Sequence, residues 1–320
     1  MNKPLFGTAL AIAGIVALTL AAAPARAADK VTLLLDWFVN PDHAPIIVAE
    51  KKGYFAEVGL EVEIVPPADP SAPPRLVAAD QADLAISYQP SLHQQVDEGL
   101  PLVRIGTLIE TPLNTLVALA DGPVRSIADL KGKKVGFSVG GFEDALLGEM
   151  LKSVGLSLDD VTLINVNFAL SPALLSGQVD AVIGAFRNFE LTQLKLEGKE
   201  GIAFFPEEHG VPVYDELIYI AKADKADDPR FLRFMQAVEK ATIYLTNHPT
   251  ETWKLFIEAY PKLDDALNRQ AWTDTLPRFA KRPFALDTGR YERFAEFMKA
   301  QGLIKTVVPV DSYAVVIDTK

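Results

Sequence analysis

Short β-branched runs alternate with longer stretches of helical period through the first two thirds of the chain, the pattern of parallel sheets covered by helices on both faces. Val31 to Asp36 reads as a strand, Ala44 to Val58 as a helix stopped by Gly59, and Glu61 to Val65 as a second strand. A Pro-rich turn and a short helix over Arg75 to Ala79 lead to strands at Leu84 to Ser87 and Val103 to Ile109. The organisation then restarts. Strands are predicted at Lys134 to Ser138, Val161 to Asn165 and Ala181 to Ala185, with helices at Glu143 to Val154 and Pro172 to Leu175. After Tyr219 the period becomes helical throughout: Pro229 to Thr246, Pro249 to Tyr260, Leu263 to Thr275 and Thr288 to Gln301.

One phrase occurs twice. Ala79-Asp80-Gln81-Ala82-Asp83-Leu84-Ala85-Ile86 and Leu175-Ser176-Gly177-Gln178-Val179-Asp180-Ala181-Val182-Ile183 each give a helix end, a polar turn, an aspartate and a strand. Two α/β lobes of like design follow, with residues 28–112 and 217–320 in the first and 113–216 in the second. The chain would cross near Thr111 to Thr115 and return near Tyr214 to Leu217, a two-strand hinge with a cleft at the carboxyl ends of the strands.

Ahead of the first strand, Lys3, an apolar stretch from Leu5 to Ala23 and Ala25-Arg26-Ala27 read as a signal peptide cleaved after Ala27. A retained anchor is the alternative, since the run approaches the ~20 residues that span a bilayer. The mature product would then be periplasmic, roughly 290 residues long, enough for two lobes. Losing Lys3 and Arg26 takes the formal charge from −11 to −13. Such an acidic product is a poor partner for nucleic acid or anionic membrane. The absence of cysteine excludes disulfides, lipid attachment and thiol chemistry, and four scattered histidines suggest neither metal nor cofactor.

Leu35-Asp36-Trp37-Phe38-Val39-Asn40-Pro41-Asp42-His43 followed by Lys52-Gly53-Tyr54-Phe55 resembles the opening of the receptors for pyrimidine precursors of thiamine. Ser87-Tyr88-Gln89, Ser138-Val139-Gly140-Gly141-Phe142-Glu143 and Arg187-Asn188-Phe189-Glu190 extend the resemblance over nearly the whole mature chain. The turn Asp129-Leu130-Lys131-Gly132-Lys133 marks only the wider fold. The resemblance implies a type II periplasmic binding fold and a monomeric receptor that delivers formylaminopyrimidine or hydroxymethylpyrimidine to an ABC permease driven by a cytosolic ATPase. It leaves open another small solute, such as a sulfonate, nitrate or other heterocycle. The family also holds fungal pyrimidine synthases that consume their own histidine, but their cysteine-rich iron motif has no counterpart here. A protein without catalytic activity is therefore expected.

Several residues then become candidates for binding. Trp37 and Phe38, at the end of the first strand, offer stacking surfaces to a flat heterocycle, or belong to the core. Asn40 and His43 read either as ligand partners or as turn and first-turn residues. Tyr88 and Gln89 in one lobe, and Ser138, Gly140, Gly141 and Phe142 in the other, sit where strands give way to helices with unpaired amides. Phe186, Asn188 and Glu190 follow another strand end. Asn188 suits the amino-and-ring-nitrogen edge of an aminopyrimidine and Glu190 can accept from its amino group or share a proton with a ring nitrogen, or else Asn188 caps the next helix with Glu190 in its first turn. Arg187 suits an anion instead.

Overall fold

The computed structural model describes Met1 and residues 27–317. The signal-peptide reading rests on residues outside that range, apart from Met1 and Ala27. Among the described residues ten strands form: β1 (Asp29–Leu34), β2 (Leu60–Val65), β3 (Leu84–Ser87), β4 (Leu102–Ile109), β5 (Asn114–Leu119), β6 (Lys134–Phe137), β7 (Thr162–Asn165), β8 (Ala181–Phe186), β9 (Gly201–Phe204) and β10 (Leu217–Lys222). They build two five-stranded sheets, in the orders β2-β1-β3-β10-β4 and β7-β6-β8-β5-β9. The two sheets share one plan. In each, three strands run parallel and a fourth enters antiparallel between the third and an outer strand.

The expected all-parallel sheets are thus mixed sheets, giving a two-lobed α/β fold. The antiparallel members are the strands at which the chain changes sheet: β5 enters the second, and β10 re-enters the first between β3 and β4. An antiparallel neighbour needs no covering crossover helix, so no helical signal announced either one.

Among the described residues eleven α-helices cover the sheets: α1 (Ala44–Lys51), α2 (Tyr54–Glu57), α3 (Pro73–Ala78), α4 (Gln89–Asp97), α5 (Phe142–Lys152), α6 (Leu170–Leu175), α7 (Glu190–Leu196), α8 (Pro229–Asn247), α9 (Pro249–Ala259), α10 (Ala266–Thr275) and α11 (Thr288–Ala300). The single helix expected from Ala44 to Val58 is two, because Gly53 takes a φ of +73° that ends α1. In α8, Phe231, Phe234, Met235, Val238, Ala241 and Leu245 keep a helical period and are buried against α1 and α2, with Phe234 stacked on Phe55 at 5.2 Å.

The repeated phrase has a repeated physical role. Asp83 accepts from the Thr32 amide at 2.9 Å and returns its own amide to the Thr32 carbonyl at 3.1 Å. Asp180 does the same with Lys134, at 2.9 and 2.8 Å. Each aspartate thereby ties the strand it precedes, β3 or β8, to the parallel neighbour β1 or β6.

Between the sheets the chain crosses twice, from β4 to β5 and from β9 to β10. The buried Glu216 joins these crossings, accepting from the amides of Leu113 at 2.5 Å and Asn114 at 2.9 Å. Burial pushes its carboxyl up to about 7.

Candidate ligand-binding cavity

Where β1 ends, Leu35 still donates to the Val65 carbonyl, and the next residue, Asp36, is buried. Asp36 takes the Tyr88 hydroxyl at 3.0 Å on one oxygen and lies 3.0 Å from His43 Nε2 on the other. Asn40 caps the turn Pro41–His43 by accepting from the Asp42 amide at 2.8 Å, and its own amide points at His43 Nδ1 at 3.3 Å. His43 Nδ1 is therefore the acceptor, and Nε2 carries the hydrogen donated to Asp36. His43 is fully buried behind the site. It holds Asp36 and is not among the residues lining the cavity described below.

Asp42, in the same turn, is buried and accepts from Asn188 Nδ2 and from the Thr275 hydroxyl, each at 2.7 Å. Burial raises its carboxyl to about 6, with the Thr275 hydrogen bond the largest opposing influence. Asn188 Nδ2 is also 2.7 Å from Thr275 Oγ1, while Asn188 Oδ1 has no protein partner. Asn188 does not cap α7, whose N-cap is Phe189. It bridges from the end of β8 to the β1 side of the molecule instead.

From the second sheet, α5 and α7 each bring a glutamate. Glu143 is buried in the first turn of α5 and accepts from the Ser138 amide at 2.7 Å. Glu190, the first residue of α7, accepts from the Phe186 amide at 2.6 Å. Burial pushes both carboxyls up to about 8, against the lowering pull of those amides. Gly184 in β8 has a φ of +95°, and a Cβ there would fall 2.3 Å from Glu143 Oε1.

These elements enclose a cavity with about 420 Å³ of empty space, its mouth included. Its wall holds Asp36, Trp37, Asn40, Asp42 and Tyr88 from one side, and Glu143, Leu170, Gly184, Phe186, Phe189 and Glu190 from the other. Among the described residues four carboxyls line it, and no lysine or arginine does. The lobes already meet around it. Tyr88 stacks on Phe142 at 5.1 Å, Gln94 Nε2 donates to the Gly141 carbonyl at 2.6 Å, and Phe168 packs on Trp37 at 4.7 Å and on Phe38 at 4.4 Å.

Of the residues singled out in the sequence, Trp37, Asn40, Tyr88, Phe186 and Glu190 border this cavity. The others lie elsewhere. Phe38 is half exposed outside it, its ring against Trp37 and Phe168. Gln89 is buried against His93 at 3.2 Å and the Asp215 amide at 2.8 Å. Phe142 is buried behind Tyr88, and the Ser138 hydroxyl donates to the Asn167 carbonyl. Gly140 and Gly141 border a separate polar recess with Ser87 and Ser91. Arg187 turns away: it pairs with Glu207 at 2.6 and 3.0 Å and lies over the Phe205 ring at 4.3 Å. Asp36, Asp42, Glu143, Gly184, Leu170 and Phe189 are cavity residues the sequence did not single out, although all but Gly184 and Leu170 stand within the quoted motifs.

Two facing α/β lobes with a cavity between their strand ends define the periplasmic-binding-protein fold. The alkanesulfonate-binding protein of Xanthomonas axonopodis pv. citri shares it, with a TM-score of 0.71 at 17% identity over 91% of this chain and 99% of that one. Residues 40–252 match the family described as NMT1/THI5 like, and the chain belongs to that family. It is 57% identical to a Haemophilus influenzae protein named for thiamine biosynthesis, over 92% of this chain and 94% of the relative. It is 34% identical to the formylaminopyrimidine-binding protein of Halalkalibacterium halodurans, over 72% and 71%. A Saccharomyces cerevisiae 4-amino-5-hydroxymethyl-2-methylpyrimidine phosphate synthase is 28% identical over 75% and 74%.

Proposed function

We propose that this protein is an exported receptor which closes on an aminopyrimidine precursor of thiamine, performs no chemistry on it, and delivers it to an ABC permease. The observation that carries this reading is a cavity wall with four carboxyls, an indole face and no cationic side chain. An aminopyrimidine edge has an amino donor beside a ring-nitrogen acceptor. A neutral carboxyl, such as Glu190 below about pH 8, offers the matching acceptor and donor. Trp37 supplies a face for the ring, worth about 0.5–1.5 kcal/mol beyond area burial. An anionic solute would meet carboxyls without compensation, and Arg187, the residue suited to it, is spent on Glu207. Catalysis through a histidine has little to work with at His43, whose ring is buried and engaged on both nitrogens.

Because wall residues come from both lobes, a ligand that touches them favours the closed form by its differential affinity. The test is mass spectrometry of the small molecule released on denaturing the purified protein, then calorimetric titration with formylaminopyrimidine and hydroxymethylpyrimidine. Tight binding of either supports the reading. Recovery of an unrelated compound, with neither pyrimidine bound, refutes it.

A further inference from the structure

Glu143 and Glu190 occupy equivalent positions in the second lobe, each at the start of the helix that follows a strand end, each with one oxygen held by a backbone amide. Neither carboxyl has a cationic partner. The Ser138 amide donates to Oε2 of Glu143 and the Val139 amide also acts on the carboxyl, while Gly184 leaves Oε1 room that any larger residue would take. A buried carboxyl without a cationic partner is costly to keep, and Glu143 lines the cavity. Strand β8 has thus given up a side chain, at a backbone conformation that favours glycine, where Glu143 needs space.

We propose that Glu143 is a second recognition residue, so that the cavity selects a ligand with two separate polar groups, one met by Glu190 and the other by Glu143. This rests on the pyrimidine reading and adds to it: a polar ring substituent, and not the amino edge alone, decides affinity. Held neutral by burial, Glu143 donates to a hydroxyl or carbonyl oxygen; ionised, it accepts from a hydroxyl or an amide N–H. Hydroxymethyl and formylamino groups both satisfy it, and a methyl group satisfies neither form.

The experiment titrates 4-amino-5-hydroxymethyl-2-methylpyrimidine and 4-amino-2,5-dimethylpyrimidine into the native protein, Glu143→Ala and Gly184→Ala. The native protein should prefer the hydroxymethyl compound by about tenfold or more, the loss expected for an unmade buried hydrogen bond. Both variants should bind the two compounds alike, and retained affinity for the dimethyl compound shows that they remain folded. Equal affinities in the native protein, or a preference that survives Glu143→Ala, overturns the proposal while leaving the pyrimidine reading intact. Binding of neither compound overturns this proposal, and failure of formylaminopyrimidine to bind as well overturns that reading with it.

Discussion

Asn188→Ala removes a contact that exists only while the two lobes are together. Asn188 follows β8, whereas Asp42 follows β1 and Thr275 ends α10, and the amide reaches both at 2.7 Å. A hydrogen bond contributes about 0.5–1.5 kcal/mol net, and about 1.5–3 kcal/mol when one partner is charged. With Asp42 titrating at about 6, the charged case holds at pH 7.5. The closed form should lose about 1–3 kcal/mol relative to the open one, or about 5- to 150-fold in their ratio. Once the open form dominates, Kd rises by that same factor for every ligand, because the deficit lies in closure. Small-angle scattering of the ligand-free protein should show a larger radius of gyration, and the urea midpoint should hold. The reasoning fails if the affinity loss differs strongly between formylaminopyrimidine and hydroxymethylpyrimidine, which would mean that Asn188 Oδ1 meets the ligand. It also fails if the midpoint falls while scattering is unchanged.

Other expectations follow from the same geometry. Glu143 and Glu190 at about 8 and Glu216 at about 7 hold protons in the folded state that the unfolded chain releases above its ordinary carboxyl range. Their contribution is complete below about pH 4.5 and is lost as pH rises to about 8, at up to about 1.4 kcal/mol per pH unit for each group. The melting temperature of ligand-free protein should therefore be lower at pH 8.5 than at pH 5.5, and a flat or rising profile would contradict the assignment. Trp37→Ala should weaken ligand binding about 10- to 100-fold with the urea midpoint nearly unchanged, by calorimetry and denaturation together. Collapse of the fold would make Trp37 a core residue. Arg187→Ala should cost about 1–2 kcal/mol of stability through the lost Glu207 pair, without opening the cavity to anions such as sulfonates.

The sequence carried most of the lobe plan because that plan is local. The twin phrases around Asp83 and Asp180, and the proline and glycine punctuation, mark strand starts whatever lies across the molecule. Strands β5 and β9 escaped notice for different reasons. Asn114 to Leu119 opens directly from the crossing and read as hinge, while Gly201 to Phe204 is four half-buried residues with no alternation. The aromatic part of the cavity was legible from Trp37, Tyr88 and Phe186 at strand ends. Of the carboxyl part, Glu190 was legible, whereas Asp36, Asp42 and Glu143 were not. An aspartate or glutamate near a helix start reads as a solvated end, and only the meeting of two lobes distant in sequence buries Asp42 against Asn188. Arg187 was open for the same reason, since its partner Glu207 lies beyond β9.

Glu216 has a mechanical consequence. Its carboxylate holds two successive amides of the opposite crossing, so neither strap can slide along the other without breaking both bonds. With Asp83 and Asp180 stiffening the plates on either side, translation and shear are resisted, and rotation about a line near Leu113 and Glu216 is the soft coordinate that remains. An opening of the kind the proposed function requires would be a turn about this pivot, parting the Phe168 and Gln94 contacts across the cavity.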